Sequence, residues 1–219
     1  MATKAIERYE RLICERPEEF RQSDKGLIHI VTDMDVLQKW QEENPDRPIG
    51  VVYESRFHLM VVDLVDGGGG KYYTYERILE QNAGAAVVLP ITPKGEIVLI
   101  KQFRHAMREE QWGLPRGFGH KGQSAKSNAR LEAGEEIGAD DAEPTLLGTV
   151  VANSGLSGVR VSVYLFRVND WRASYGHEGI TEAGAFTPEE LAQAIRDGVI
   201  NDGFTLSALS LYQAENGDE

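Results

Sequence analysis

Apolar residues recur at helical spacing in the first fifty positions of the chain. Six residues carry this pattern: Ile6, Tyr9, Ile13, Val36, Leu37 and Trp40. Asp33 precedes the second group and is a candidate N-terminal helix cap, while Pro45 and Pro48 end the segment. The pattern therefore predicts a helical and partly irregular N-terminal region.

From residue 51 onward, apolar residues fall in short runs typical of β-strands. The predicted strands of this region span residues 51–53, 57–64 and 71–78. Four consecutive glycines, Gly67 to Gly70, lie between the last two strands. They lack the Lys-Ser/Thr pair that follows a phosphate-binding loop, so a flexible hairpin turn is the better interpretation.

The next part of the chain combines a hairpin with a helix. Apolar segments 85–91 and 97–100 flank the turn Pro93-Lys94-Gly95 and predict two strands covered on both faces. A helix is predicted from Ser124 to Ile137 because Gly138 provides a stop signal.

Strands and helices also alternate in the C-terminal part. Two strands are predicted at residues 146–151 and 159–165. The capping box Thr187-Pro188-Glu189-Glu190 begins a helix that ends near Gly198, and a last helix spans about 205–214. Strands on either side of a few helices indicate an α/β or α+β sandwich.

Charge restricts the class of partner. The chain has 219 residues, with 23 Lys and Arg against 35 Asp and Glu, so its formal net charge is −12. Proteins that bind nucleic acids or anionic membranes need clustered Lys and Arg, so the acidic balance argues against both classes of partner. A phosphate-bearing substrate stays compatible if a metal cation lies between the two negative partners.

The cysteine content and the N-terminal sequence indicate a compartment. Cys14 is the only cysteine, which excludes an intramolecular disulfide framework and a thiolate metal cluster. The N-terminal residues lack the apolar run of a secretory signal, and no stretch reaches the ~18–20 apolar residues that cross a bilayer. We therefore expect a soluble protein of the reducing cytoplasm.

Three glutamates carry the candidate chemistry. Glu132, Glu135 and Glu136 fall at i, i+3 and i+4 of the predicted helix, where their carboxylates share one face. Such like charges favour either a solvated acidic surface or a hard cation such as Mg²⁺, and the spacing leaves both open. The glycine-containing loop 114–119 precedes the helix and allows close approach of its backbone to an anion or a metal.

Residues Gly117 to Ala139 resemble the Nudix box, a pattern of glycines and glutamates at fixed spacing. The residues in register with that box are Gly117, Glu132, Glu135, Glu136 and Gly138. Gln102-Phe103-Arg104 and the segment from Gly198 to Gly203 resemble the ADP-ribose pyrophosphatase branch of the same family. The resemblance implies a Nudix-type α/β/α sandwich with a mixed sheet, preceded by a small antiparallel sheet and an N-terminal helical segment.

The resemblance also implies an organisation of the chain. An N-terminal helical extension is expected at residues 1–49, a small antiparallel β dimerisation region at 50–83, and the Nudix domain at 84–219. A two-fold homodimer follows from the second segment, because this branch pairs through such a sheet.

Two positions depart from the box. Gln123 stands where the family has a glutamate that supports the metal, and Leu131 stands where it has an arginine that pairs with the acids. Glutamine lacks the charge that Mg²⁺ prefers in a ligand. Arg130 is a poor substitute for the missing arginine because it points about 100° away on an ideal helix.

The resemblance assigns metal-binding and catalytic roles residue by residue. The implied metal ligands are the carbonyl of Gly117 and the carboxylates of Glu132, Glu135 and Glu136. The implied ion is Mg²⁺, with Mn²⁺ as an alternative. The implied catalytic residues are Glu132, Glu136 and Glu178, the last from the loop after a post-box strand. Glu182 is the second candidate for that loop acid.

Substrate-binding roles are implied for Arg104, Gly119 and His120. A guanidinium fork at Arg104 suits the phosphates, whereas a structural salt bridge is the alternative for this side chain. Trp112 and Tyr175 are candidates for stacking on a base, and packing is the alternative for both.

Two functions are open on this basis. The first is Mg²⁺-dependent hydrolysis of a nucleoside diphosphate linked to another group, of the ADP-ribose or nucleotide-sugar type, which gives a nucleoside monophosphate. The second is a catalytically impaired nucleotide-binding or regulatory protein of the same fold, which Gln123 and Leu131 favour. In both cases the expected partner is a small nucleoside diphosphate derivative, without nucleic acid or membrane.

Overall fold

A computed structural model describes residues 2–26, 28–139 and 141–217. The chain divides into two compact units. The first consists of Met1–Gln81 and Asn153–Val159, and the second consists of Asn82–Ala152 and Arg160–Glu219. Met1, Asp218 and Glu219 lie outside the described residues. The boundaries of the three segments expected from the sequence stay a prediction.

Two helices and a four-stranded antiparallel sheet form the first unit. Its elements are α1 (Ala2–Glu15), β1 (His29–Ile30), α2 (Met34–Glu43), β2 (Gly50–Glu54), β3 (His58–Asp66) and β4 (Tyr72–Glu80). Strand β3 pairs with the other three strands. Helix α2 begins at the predicted place, because the side chain of Asp33 accepts hydrogen bonds from the amides of Asp35 and Val36.

The helices and the sheet of this unit share one apolar core. Ile6 and Tyr9 of α1 are buried against Leu59 and Val61 of β3, which confirms the helical spacing predicted for α1. The glycine run forms the predicted hairpin turn between β3 and β4, and Gly68 donates its N–H to the carboxylate of Asp66 over 2.8 Å.

A buried carboxylate in this core is fully paired. Asp63 accepts a hydrogen bond from the hydroxyl of Tyr9 and lies 2.5 Å from Nε of Arg77. Arg77 also donates to the carbonyl of Glu19 over 2.8 Å and stacks 5.0 Å from the ring centroid of Phe20. The network therefore gives each charge of the buried ion pair an opposite partner.

A seven-stranded mixed sheet forms the centre of the second unit. Its strands are β5 (Ala86–Ile91), β6 (Ile97–Arg104), β7 (Glu109–Gly113), β8 (Arg116–Gly117), β9 (Thr145–Val150), β10 (Val161–Arg167) and β11 (Ile180–Phe186). The strand order is β11-β6-β5-β10-β9, with β7 on β6 and β8 on β5. Strands β5 and β10 run parallel, whereas the other paired strands of this sheet are antiparallel.

Three helices cover this sheet: α3 (Ala125–Ile137), α4 (Pro188–Arg196) and α5 (Gly203–Asn216). Ala129, Ala133 and Ile137 of α3 pack with apolar residues of β5 and β10, and α5 contacts β9 and β5. Every residue of β5 is buried, so both faces of the sheet are covered at this strand. The α/β fold with a mixed sheet, a small antiparallel sheet and an N-terminal helix is confirmed.

The capping signals act as the sequence predicted. Thr187 and Glu190 form a reciprocal capping box at the start of α4.

Within the described part of the chain, no helix is both long and apolar enough to cross a membrane.

Candidate functional site

Helix α3 carries the candidate acids. A side-chain cap fixes its first turn, and a left-handed glycine ends it. Ser124 accepts a hydrogen bond from the amide of Ser127 over 3.1 Å, and Gly138 ends the helix in the left-handed conformation with φ 61°. Between these ends, Glu132 and Glu136 are 7% and 1% exposed, whereas Glu135 is exposed. The helix thus brings two of the three predicted acids into the protein and leaves the third outside.

Gly117 lies directly against the first of these acids. A Cβ atom at position 117 would overlap the carboxylate of Glu132, so any larger residue there would displace that carboxylate from its present position. The pKa of Glu132 is raised from 4.5 to about 7, first by burial and then by the charges of Glu178 and Glu135. Gly117 and Glu132 are therefore close neighbours, and the role of the Gly117 carbonyl as a metal ligand stays a prediction.

The second buried acid is only half satisfied. Oε2 of Glu136 accepts a hydrogen bond from the backbone N–H of Arg116 over 3.0 Å, and its Oε1 is buried without a hydrogen-bond partner. Burial and then the charge of Glu132 raise the pKa of Glu136 from 4.5 to about 8, although the Arg116 amide and Arg104 act in the opposite direction.

A strained loop brings Glu178 close to this pair. The amide of Ser174 donates to the backbone carbonyl of Glu136 over 3.0 Å, and Nε2 of the buried Gln102 donates to the carbonyl of Glu178 over 2.8 Å. Glu178 has φ 44° between Gly176 and Gly179, a left-handed conformation that costs a non-glycine residue about 1 kcal/mol or more. The exposed carboxylate of Glu178 raises the pKa of both Glu132 and Glu136 through its charge.

The other candidate for the loop acid has a different partner. The carboxylate of Glu182 lies 2.8 Å from Nζ of Lys101 in an ion pair at the surface. The structure therefore favours Glu178 over Glu182 as the acid nearest to the buried pair.

Arg104 lies beside the acids. Burial and then the charge of Arg116 lower the pKa of Arg104, while Asp202, Glu136 and Glu178 act in the opposite direction. Its Nε atom is buried without a hydrogen-bond partner. A desolvated guanidinium with a free donor is suited to a phosphate oxygen.

The remaining predicted site residues have varied surroundings. Gly119 is buried, and a Cβ atom there would overlap the backbone carbonyl of Ala83, so packing alone requires this glycine. His120 is exposed. Trp112 packs edge-on against Phe186 with the ring centroids 5.2 Å apart, whereas Tyr175 is 67% exposed.

The donor atoms fit a hard divalent cation. The carboxylates of Glu132 and Glu136 offer oxygen atoms of the kind that such an ion prefers, and one of these oxygens is buried without a hydrogen-bond partner. Among the described residues, no group of three or more Asp, Glu, His or Cys side chains is arranged to hold a metal ion. Mg²⁺ is usually held by one or two carboxylates and by the phosphates of its substrate, so two buried carboxylates could serve such an ion.

The expected departure from the box at Gln123 and Leu131 stays a prediction, and the structure gives the surroundings of both residues. Gln123 is exposed and Leu131 is half-buried on α3. Arg130, next to Leu131, pairs with the exposed Glu143 and not with the buried acids. The acids of α3 are therefore left without an arginine from their own helix.

Sequence reasoning missed one ion pair next to the site. Nη1 of Arg116 lies 2.6 and 2.5 Å from the two carboxylate oxygens of Asp202, which is 6% exposed. The only signals were an arginine directly before Gly117 and an aspartate directly before a helix, and neither signal indicates a pair that spans 86 positions of the chain.

Comparisons with known proteins agree with this geometry. Residues 81–205 match the NUDIX domain family. An ADP-ribose pyrophosphatase of Bacillus subtilis (strain 168) is 24% identical over 155 residues, which are 69% of this chain and 81% of that protein. A methanol dehydrogenase activator of Bacillus methanolicus is 23% identical over 167 residues, 75% of this chain and 89% of that protein. The crystal structure of an ADP compounds hydrolase matches with a TM-score of 0.59 at 17% identity, over 77% of this chain and 93% of that one.

Proposed function

Because the chain belongs to the Nudix domain family, we propose that it hydrolyses the diphosphate of a nucleoside diphosphate linked to another group. The first candidates are ADP-ribose and nucleotide sugars, since two similar proteins are an ADP-ribose pyrophosphatase and an ADP compounds hydrolase. The products are a nucleoside monophosphate and the phosphorylated second group.

One observation carries this proposal. The unpartnered carboxylate oxygen of Glu136 and the unpartnered Nε of Arg104 are buried polar atoms of opposite character, and the charges of the two side chains act on each other. A metal ion would satisfy the acceptor at Glu136, and a diphosphate oxygen would satisfy the donor at Arg104.

The residues then have distinct roles. Glu132, Glu136 and the carbonyl of Gly117 would hold Mg²⁺ or Mn²⁺. The resemblance alone adds Glu135, which is exposed on the same helix. Such an ion offsets the charge of the diphosphate and polarises the attacking water. Arg104 donates to a phosphate oxygen, and Gly119 and His120 border the substrate.

The reaction replaces one P–O bond with another. Glu178 accepts a proton as the water oxygen bonds to one phosphorus, and the bond from that phosphorus to the bridging oxygen breaks. The strained backbone at Glu178 supports this role, because strain of this kind is often retained where a side chain must be aimed.

A substrate panel tests the proposal. Purified protein is assayed with ADP-ribose, nucleotide sugars and dinucleotides in the presence of Mg²⁺ or Mn²⁺, and nucleoside monophosphate is quantified by chromatography. We expect metal-dependent release of AMP from ADP-ribose, reduced about 100- to 1,000-fold by Glu136→Gln. Glu189→Gln, an exposed acid on α4, is the matched control and keeps wild-type turnover. No turnover above blank with any substrate would refute hydrolysis.

A second function is favoured by Gln123, which is exposed and uncharged where the family has a metal-supporting acid. On this alternative the protein binds the nucleotide without efficient hydrolysis and acts as a regulator, and one similar protein is described as an activator. Saturable binding without product supports it, as does a gain of turnover in Gln123→Glu combined with Leu131→Arg. A wild type that is as fast as this double variant contradicts it.

We also propose a homodimer formed through the sheet of β2, β3 and β4. Support comes from aromatic side chains that this sheet exposes: Tyr53, Tyr72, Tyr73 and Tyr75. Multi-angle light scattering should give twice the chain mass of 24.3 kDa, and a monomer mass would refute the dimer.

A further inference from the structure

The first turn of α5 is bonded to the chain segment that leads to Gly117. Nε2 of Gln111 donates to Oδ1 of Asn201 over 2.8 Å, and the backbone N–H of Leu114 donates to Oγ1 of Thr205 over 3.0 Å. The third link is the ion pair of Arg116 with Asp202. The segment 111–116 is therefore held at three successive points by residues 201–205.

Asp202 is the centre of this arrangement. Its Oδ2 atom accepts hydrogen bonds from the backbone N–H of Thr205 over 2.9 Å and from the hydroxyl of Thr205 over 2.7 Å. The first bond caps α5, and the second directs the hydroxyl oxygen of Thr205 towards the amide of Leu114. A Cβ atom at Gly113 would lie 3.3 Å from Oγ1 of Thr205, so the glycine leaves room for this close contact.

Arg116 connects the arrangement to the buried acids. Its side chain is held by Asp202 and packs over the ring of Phe204, with Cζ 4.9 Å from the centroid. Its backbone N–H holds Oε2 of Glu136, and the next residue is Gly117, which touches Glu132. One residue thus fixes the backbone against both acids.

The two arginines near the site differ in their contacts. Arg116 has its charge compensated by an aspartate at 2.5 Å, whereas Arg104 keeps a buried Nε without any partner. Arg104 therefore has a donor available for an anion, whereas the charge of Arg116 is already paired with Asp202.

We infer that Asp202 and Arg116 are positioning residues, which set the backbone of residues 116 and 117 against Glu136 and Glu132. The inference rests on the proposed function, because the positioned groups are the proposed metal ligands. Groups behind metal ligands typically change metal affinity or activity 10- to 100-fold when they are removed. Loss of the Asp202 carboxylate should therefore reduce turnover and metal affinity with little effect on substrate binding.

The test compares two buried carboxylate–arginine pairs of the same chemistry. Asp202→Asn is measured beside Asp63→Asn, which breaks the ion pair with Arg77 in the other unit. The readouts are kcat and KM on the best substrate of the panel, Mn²⁺ affinity of the substrate-free protein by electron paramagnetic resonance, and the thermal midpoint. We expect Asp202→Asn to lower kcat about 10- to 100-fold, to leave KM within about threefold and to weaken Mn²⁺ binding about tenfold. Asp63→Asn should lower the midpoint and leave kcat and Mn²⁺ affinity of the folded protein unchanged.

Each outcome either supports the positioning role or overturns it. If Asp202→Asn matches Asp63→Asn in kcat and in Mn²⁺ affinity, the role is merely structural and the inference is overturned. Should Asp202→Asn fail to fold, Arg116→Lys replaces it. That variant keeps the charge but loses the planar guanidinium that bonds Asp202 while it packs over Phe204, so a several-fold loss of kcat is expected and wild-type kcat overturns the inference.

The same experiment separates this inference from the proposed function. A wild type without turnover refutes hydrolysis, yet weaker Mn²⁺ binding in Asp202→Asn still supports positioning. A wild type that turns over substrate while the variants behave normally refutes only positioning. A wild type with neither turnover nor Mn²⁺ binding refutes both.

Discussion

The two units differ in how completely they pair their buried polar groups. In the first unit, the buried Asp63 is paired with both Tyr9 and Arg77. Among the described residues, the buried side-chain atoms without a hydrogen-bond partner all belong to the second unit: Gln102 Oε1, Arg104 Nε, Asn128 Oδ1 and Glu136 Oε1. The first unit thus satisfies its buried charge internally, and the second retains unused hydrogen-bonding capacity.

This difference supports the placement of the proposed site in the second unit. A buried polar atom without a partner costs about 1–3 kcal/mol, and a role in binding a ligand is one reason for a fold to retain such an atom. Three of the four residues, Gln102, Arg104 and Glu136, belong to the candidate site. The unsatisfied atoms therefore support the proposed site with an observation that does not depend on the motif.

The largest expected effect on stability comes from breaking the satisfied pair. Asp63→Asn leaves the guanidinium of Arg77 buried beside a neutral amide, and loss of one partner of a buried pair typically costs about 3–5 kcal/mol. We expect the thermal midpoint to fall by about 10 °C. Differential scanning fluorimetry at pH 7 measures it. A fall of less than about 2 °C would show that the first unit does not depend on this pair.

Replacement of the unsatisfied acid Glu136 should raise the thermal midpoint and not lower it. The pKa of Glu136 is about 8 in the folded protein against 4.5 for an ordinary glutamate, so between these values the folded protein keeps a proton that the unfolded chain has lost. Stability from this group therefore falls as the pH rises through that window. Glu136→Gln should raise the midpoint by about 5 °C at pH 8 and by about 1 °C or less at pH 5.

The corresponding measurement is a pair of melting curves without divalent cations at each pH. Glu189→Gln serves as the control because it also replaces one carboxylate by an amide, at an exposed position. A midpoint of Glu136→Gln that is lower than wild type at pH 8 would contradict the assignment of a destabilising buried charge.

Divalent cations should have a smaller effect on the thermal midpoint. Ligands that bind only the folded state raise the midpoint, and carboxylates must lose their protons to bind a metal. Millimolar Mn²⁺ should therefore raise the midpoint by about 2–4 °C at pH 8 and less at pH 6. The shift should disappear in Glu136→Gln. An equal shift in that variant would place the cation elsewhere.

Much of the fold follows from local signals in the sequence. Ser124 and Gly138 predicted the ends of α3 because capping depends only on neighbouring residues. Gly67 to Gly70 predicted a hairpin for the same reason. The burial of Glu132 and Glu136 was not evident, since it depends on which side of α3 faces the sheet. Glu135 lies about 100° from Glu136 around the helix and is therefore exposed.

The site is less predictable than the fold. Spacing found Gly117 and the glutamates of α3, because these residues lie within one loop and helix. The pairing of Arg116 with Asp202 joins distant parts of the chain, and the left-handed conformation of Glu178 is unusual for glutamate. No local pattern predicts such contacts, which arise only when the sheet and its helices assemble.

The glycine turn between β3 and β4 has a practical consequence. Gly68, Gly69 and Gly70 are exposed, and no atom lies within 4 Å of the place where a Cβ would stand on any of them. Exposed loop tips of this kind tolerate inserted sequence well. A short peptide tag inserted between Gly69 and Gly70 should therefore allow immobilisation or fluorescent labelling of the protein while the thermal midpoint stays unchanged.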